Sequence, residues 1–188
     1  MDNVCSFTFP SWQPQLPETV AAHYGVRIAD LLQAPSLTAA LRGLGYPFSV
    51  RLLGLEEGGA GVWFAANGQP HAAGQAERET PVFRRDVLLC LDDTPVVWAR
   101  SVCAPDSLWR EILDCGTRPL GERLFDGSLP LTRTPFEFAD TQRLAALHDT
   151  PGQAFAARRS WFEMSGSRLG LVECFLPALA DYCPTLLK

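Results

Sequence analysis

Residues 82–103 restrict the fold more than any other stretch. Val82-Phe-Arg-Arg-Asp-Val-Leu-Leu-Cys-Leu91 and Val96-Val-Trp-Ala-Arg-Ser-Val-Cys103 are both rich in strand-forming residues, with Asp92-Asp-Thr-Pro95 between them. Two such runs around a short polar turn read as a β-hairpin. Side chains of a strand alternate between faces. Arg85 therefore shares a face with Phe83, Val87 and Leu89, and Arg100 shares one with Val96, Trp98 and Val102. Arg84 and Asp86 fall on the opposite face of the first strand and read as a solvated pair.

Glu173 repeats the anomaly. It lies inside Leu169-Gly-Leu-Val-Glu-Cys-Phe-Leu-Pro177, an otherwise apolar strand. An ionised group buried without a partner costs several kcal/mol. Glu173 and Arg85 must be compensated by each other, by other residues, or by a polar ligand with an acidic end and a hydroxyl end. The plain reading of Glu173 is a salt bridge to an arginine on a neighbouring strand. The functional reading is a carboxylate that hydrogen-bonds a ligand hydroxyl or moves a proton. Arg85 likewise reads either as a structural partner or as a fork that grips a carboxylate bidentately. Arg100 adds a second guanidinium. Two arginines exceed what one glutamate neutralises, which favours an anionic ligand.

The rest of the chain sets the frame. Its 188 residues fit one domain over 1–188, with 1–20 a poorly defined N-terminal arm. At 47% hydrophobic and 20% charged it can build a real core. Its net charge of −5 argues against a broad nucleic-acid surface. An anionic substrate must be met by a local arginine cluster. No apolar run approaches the roughly 18 residues of a membrane span, and the start lacks the basic and apolar regions of a secretory signal. A cytoplasmic protein with no stable membrane insertion is expected, and the scarcity of long exposed apolar stripes favours a monomer.

The six cysteines are scattered, with no C-x-x-C pair, so reduced thiols and no metal are expected. His23, His71 and His148 sit in no motif. Ser-His-Asp and Cys-His arrangements have no support, and no G-x-G-x-x-G or phosphate loop points to a nucleotide cofactor.

A short helix is expected over residues 20–33, broken at Pro35, with Ile28, Leu31 and Leu32 inward. Ser36 can cap a second helix, 37–43, ending at Gly43. Residues 48–55 read as a strand, and the glycine-rich 56–80 as a connection enclosing one short strand at Val62-Trp-Phe64. Residues 108–113 look helical, stopped by Gly116. Pro119 opens the helix Leu120-Gly-Glu-Arg-Leu-Phe125, whose first N–H groups can bind an anion. Three strands follow at 131–140, 157–165 and 168–177, the last two forming a hairpin about Gly166-Ser167. Arg158-Arg159 reads as one inward and one outward residue without assigned function. The pattern is an antiparallel sheet in an α+β fold.

Arg85-Asp-Val-Leu-Leu-Cys90, Pro119-Leu-Gly-Glu-Arg-Leu-Phe125, Leu131-Thr-Arg133, Ala157-Arg-Arg159 and Leu171-Val-Glu-Cys-Phe-Leu-Pro177, in this order, resemble the chorismate pyruvate-lyase family. The likeness covers residues 82–177 well and 25–55 loosely. It implies a single antiparallel β-sheet with helices on one side and helical flaps over an internal ligand cavity. It implies a lyase that eliminates pyruvate from chorismate to give 4-hydroxybenzoate, the first committed step toward ubiquinone. By the same resemblance Arg85 and Glu173 are catalytic. Arg85 holds the ring carboxylate, assisted by the backbone at Leu120, and Glu173 meets the ring hydroxyl. Leu37 covers the ligand from a flap, and Arg100 helps with a second carboxylate or an entry site. Aromatisation drives such a reaction, so the resemblance implies no cofactor. The alternative is a non-catalytic aromatic-acid-binding sensor, or the effector domain of a repressor. The latter would normally carry a helix-turn-helix upstream, which the first 80 residues do not suggest.

Overall fold

The computed structural model of the protein describes residues 10–64, 81–141 and 153–183. Cys5, His71, His148 and most of the glycine-rich segment lie outside the described residues. Seven strands form one antiparallel sheet: β1 (Phe48–Gly58), β2 (Val82–Leu91), β3 (Thr94–Cys103), β4 (Thr132–Arg133), β5 (Glu137–Asp140), β6 (Ala156–Met164) and β7 (Ser167–Phe175). Their order across the sheet is β1-β2-β3-β7-β6-β4, with β5 also paired to β6. The expected strand over 131–140 is thus two short strands, both on β6.

One face of the sheet carries the helices. They are α1 (Glu18–Tyr24), α2 (Val26–Gln33), α3 (Leu37–Arg42), α4 (Trp109–Leu113) and α5 (Leu120–Phe125). The single helix expected over 20–33 is broken in two at Gly25. Its φ of 85° is a left-handed conformation that glycine adopts without steric cost. Ile28, Leu31 and Leu32 of α2 point inward as their spacing predicts and pack with Val87, Leu89 and Ala99 of the sheet. The α3 helix begins as expected, with the Ser36 hydroxyl accepting from the Ala39 N–H. On the same face Trp109, Ile112, Leu120 and Leu124 pack on Phe83, Phe162 and Leu169. Burying a large apolar side chain contributes about 1.5–3 kcal/mol, so these two clusters hold the helices down.

The other face is covered differently. Val62–Phe64 forms a 3-10 turn, not the expected strand. Trp63 is buried there against Trp98, Cys90 and Cys174, and Trp12 from the start of the chain joins it edge-on. Gln13 bridges Phe138 of β5 by two backbone hydrogen bonds, so this part of the expected arm is docked. After β7 a 3-10 helix over Pro177–Tyr182 returns along β3.

Two turns decide which side chains meet. The β2–β3 turn is Asp92-Asp93, both with positive φ, and β3 begins already at Thr94. The register then slips by one between Leu89 and Cys90, where Val96 is the extra residue. A one-residue bulge moves every later side chain to the opposite face relative to its expected partner. The β6–β7 turn is Ser165-Gly166, one residue earlier than expected, and pairs Arg158 with Glu173.

Candidate active site

Between the sheet and the ends of α3 and α5 lies a cavity with about 540 Å³ of space between atoms, part of it open to solvent. Its floor is sheet: Arg85, Val87 and Leu89 from β2, Ala99 and Ser101 from β3, Leu171 and Glu173 from β7. Its roof is Leu37 and Thr38 of α3 with Leu120, Gly121 and Leu124 of α5. The roof helices touch closely. A Cβ on Gly121 would stand 2.9 Å from the Thr38 hydroxyl oxygen, so only glycine fits without a shift. Outside, Arg42 of α3 and Glu122 of α5 form an exposed ion pair.

Glu173 is 8% exposed and its Oε2 accepts from the Arg158 Nε at 2.6 Å. Arg158, 1% exposed, also donates through Nη1 to the carbonyls of Leu32 and Ala34, each at 2.7 Å. Those carbonyls end α2, where a helix leaves acceptors unsatisfied and favours positive charge. Arg158 therefore fixes both the carboxylate and the start of the roof. Among the described residues the other oxygen of Glu173, Oε1, accepts no hydrogen bond.

Arg85 is 2% exposed and meets no carboxylate among the described residues. Its Nη2 donates to the carbonyls of Gly116 and Arg118 at 2.8 and 3.1 Å, and its buried Nε has no partner. Burial pulls its pKa below the usual arginine value. These carbonyls lie just before Pro119, which sets the guanidinium near the start of α5 at Leu120. Ser101 is directly across the ladder from Arg85.

Arg133 is the third guanidinium in the cavity wall. Its Nε donates to the Ser160 hydroxyl at 3.1 Å and its Nη1 to the Pro35 carbonyl at 2.7 Å. It stacks on Phe136, 3.7 Å from the ring centre. Burial, then the nearby Arg158 cation, push its pKa down to about 10, while Glu173 pulls the other way.

The structure thus brings together Arg85, Leu120, Glu173 and Leu37, but not Arg100. Arg100 is on the other face of the sheet, 2% exposed, and grips Asp86 with both Nε and Nη2, at 2.8 and 2.7 Å. The Val96 bulge is the reason, since it sets Arg85 opposite Ser101 and Asp86 opposite Arg100. The role expected for Arg100 is withdrawn. Nor do Arg84 and Asp86 pair: Arg84 meets Glu56 of β1 at 2.6 Å.

Sequence reasoning passed over Arg158 and Arg133. Arg158 is legible only once the turn is known, because counting outward from Ser165-Gly166 places it opposite Glu173. A turn one residue later puts Ser160 there instead. Arg133 ends the segment Leu131-Thr-Arg133 that carries part of the family resemblance, but no periodicity places its side chain, which reaches the cavity because β4 is laid on β6 opposite Phe162.

An open antiparallel sheet roofed by short helices, over a cavity richer in guanidinium than in carboxylate, defines a small α+β protein with a cationic internal cavity. The chorismate lyase family model matches residues 27–182. A probable chorismate pyruvate-lyase of Ralstonia nicotianae is 37% identical, over 95% of each chain. One of Shewanella amazonensis is 34% identical, over 96% of this chain and 91% of that one. One of Albidiferax ferrireducens is 36% identical, over 74% and 76%. The chain belongs to the chorismate lyase family and is a lyase. No helix among the described residues is long and apolar enough to cross a membrane.

Proposed function

We propose that the protein eliminates pyruvate from chorismate to give 4-hydroxybenzoate, working as a cytoplasmic monomer at the entry to ubiquinone synthesis. One observation carries this reading. The cavity wall holds Arg85, Arg133 and Arg158 against the single carboxylate of Glu173, and Arg158 alone is matched by it. A dianion with a ring hydroxyl complements that arrangement.

Arg85 takes the ring carboxylate with its unpartnered Nε, aided by the Leu120 amide. Glu173 meets the ring hydroxyl with Oε1, which Arg158 leaves available. Leu37 and Leu120 close over the ring and exclude water. In the reaction the ether bond between ring and enolpyruvyl group breaks. The hydrogen on the hydroxyl-bearing carbon leaves as a proton, and the departing enolpyruvate takes up a proton to become pyruvate. The ring becomes aromatic, which drives the step. The protein holds the hydroxyl-bearing carbon and the leaving oxygen in a fixed field of guanidinium charge, where preorganised donors stabilise developing anion without reorganisation.

The test is pyruvate release from chorismate by purified protein, followed through lactate dehydrogenase. Pyruvate and 4-hydroxybenzoate in equal amounts are expected, and absence of both overturns the reading. Glu173→Gln keeps an acceptor for Arg158 but removes the charge that meets the ring hydroxyl, and should slow turnover by at least about 100-fold, the size of a lost preorganised electrostatic contact. Near-normal turnover would remove Glu173 from the chemistry.

A further inference from the structure

The cavity holds one more cation than a ring carboxylate and Glu173 explain. Arg158 is committed to Glu173 and to the end of α2. Arg85 is at the opposite end, beside the start of α5. Arg133 remains. Its Nε and Nη1 contact only neutral oxygens, and its Nη2 makes no hydrogen bond among the described residues.

Its position is informative. The ring of Phe136 is 3.7 Å from the Arg133 guanidinium carbon and 4.2 Å from that of Arg158. Arg133 therefore stands at the Glu173 end of the cavity. Phe125, the last residue of α5, and Phe162 of β6 also face it, at 5.5 and 5.3 Å. These rings shield the guanidinium from water and hold it flat, which leaves its edge for a ligand.

The substrate's own geometry completes the argument. In chorismate the ring carboxylate and the hydroxyl are opposite each other across the ring. The enolpyruvyl ether is attached next to the hydroxyl-bearing carbon. With the carboxylate at Arg85 and the hydroxyl at Glu173, the second carboxylate must fall beside Glu173.

We propose that Arg133 binds the enolpyruvyl carboxylate of the substrate, a contact that the product 4-hydroxybenzoate cannot make. The proposal rests on the chorismate reading above. It gives Arg133 a role that neither Arg85 nor Glu173 can fill. It holds the leaving group while the ether bond breaks, and it distinguishes substrate from product. Interactions lost on conversion to product raise turnover without tightening product inhibition.

Two arms test this. Arg133→Gln should lower kcat/KM for chorismate by about 30-fold, the loss expected for a charged hydrogen bond. Its Kd for 4-hydroxybenzoate, by calorimetry, should change less than about threefold, and Arg133→Lys should recover part of the loss. Equal losses for chorismate and 4-hydroxybenzoate would make Arg133 a purely structural support of the roof and overturn the proposal. So would no loss for either. The second arm uses the wild-type protein, in case the variants fold poorly. There 3-(carboxymethoxy)-4-hydroxybenzoate should bind at least about tenfold more tightly than its uncharged amide of the same size. Equal binding overturns the proposal. If wild-type protein releases no pyruvate from chorismate, the functional reading fails by itself, while the calorimetric comparison, repeated with Arg133→Gln, still reports whether Arg133 takes a second carboxylate.

Discussion

Removing Arg158 should unfold a large part of the protein's stability margin, and the amount can be worked from its contacts. Arg158→Met keeps much of the apolar stem and deletes the guanidinium. Glu173 then loses the 2.6 Å partner that neutralises it at 8% exposure. Taking one member from a buried ion pair costs about 3–5 kcal/mol. The buried carbonyl of Leu32 also loses its 2.7 Å donor, and an unsatisfied buried acceptor costs about 1–3 kcal/mol. The Ala34 carbonyl is only partly buried, and water can replace its donor cheaply. The two larger costs are not fully additive, because both groups respond to one charge. A loss of about 4–6 kcal/mol follows from these costs, a large share of the 5–15 kcal/mol typical of a domain.

The assay is urea unfolding followed by tryptophan fluorescence. With m near 2 kcal/mol/M, the midpoint should fall by about 2–3 M. Glu173→Gln should cost less than half as much, since its amide oxygen still accepts from Arg158 and the cavity already tolerates a guanidinium bonded only to carbonyls, Arg85. In Arg158→Met/Glu173→Gln the stranded carboxylate is gone, so the double variant should be more stable than the sum of the singles by about 1–3 kcal/mol. A loss under about 1 kcal/mol for Arg158→Met, or additive singles within about 0.5 kcal/mol, would refute the reasoning.

Arg85→Ala should weaken 4-hydroxybenzoate binding by about 2–5 kcal/mol in calorimetry, because a desolvated charge partner is lost; unchanged affinity would contradict the ring-carboxylate role. Gly121→Ala puts a methyl group 2.9 Å from the Thr38 oxygen, which should prise α5 from α3 at a cost of about 1–3 kcal/mol. Adding Thr38→Ala should restore product affinity, and a failure of that rescue would mean the roof does not close through this contact. Burial raises the thiol pKa of Cys90, Cys103, Cys174 and Cys183, that of Cys103 from 9.0 to about 11. A raised thiol pKa means that the unfolded chain ionises first, so the stabilising contribution is intact below pH 9 and is lost as pH rises toward 11. Between pH 8 and pH 10, Cys103 alone should remove on the order of 1 kcal/mol; a urea midpoint that does not move over that interval would count against it.

Much of the fold could be read from apolar periodicity and turn residues. The β2–β3 hairpin, α5 behind Pro119, the Ser36 cap and the inward faces of Arg85 and Glu173 all stand as the sequence implies. What was not legible was register. In β2 the alternation is regular, so Arg85 was placed correctly from its own strand. Pairing it with Arg100 needed knowledge of the partner strand, and there a single extra valine reversed the answer. Arg158 shows the same limit from the other side. Its strand could be inferred, yet which of Arg158 and Arg159 faces inward, and what it meets, depends on whether the turn is Ser165-Gly166 or one residue further. Side-chain period is two, so such errors do not blur a site but exchange one residue for another of different chemistry. Arg133 is harder still, since its two-residue strand is too short to carry a period, and its place comes from Phe162 opposite it on β6.

The charge count in the cavity also bears on the direction of the reaction. The chain carries −5 overall, so its general field repels a dianion, and entry must rely on the local arginines. In the closed cavity the wall offers Arg85, Arg133 and Arg158 against Glu173. A substrate bearing two carboxylates leaves that set neutral. Once the enolpyruvyl group has departed, the bound product carries one carboxylate and a guanidinium is again without a countercharge. At an effective dielectric constant near 20, unit charges 4 Å apart interact by about 4 kcal/mol. Losing one such interaction removes an attraction of that order from the closed state. On this reading pyruvate departure weakens the closed state, and the same imbalance that draws chorismate in helps to open α3 and α5 for 4-hydroxybenzoate to leave. The asymmetry depends on Arg133 facing the leaving group rather than the ring carboxylate. A product held as tightly as a non-reacting dicarboxylate of similar size would be incompatible with it.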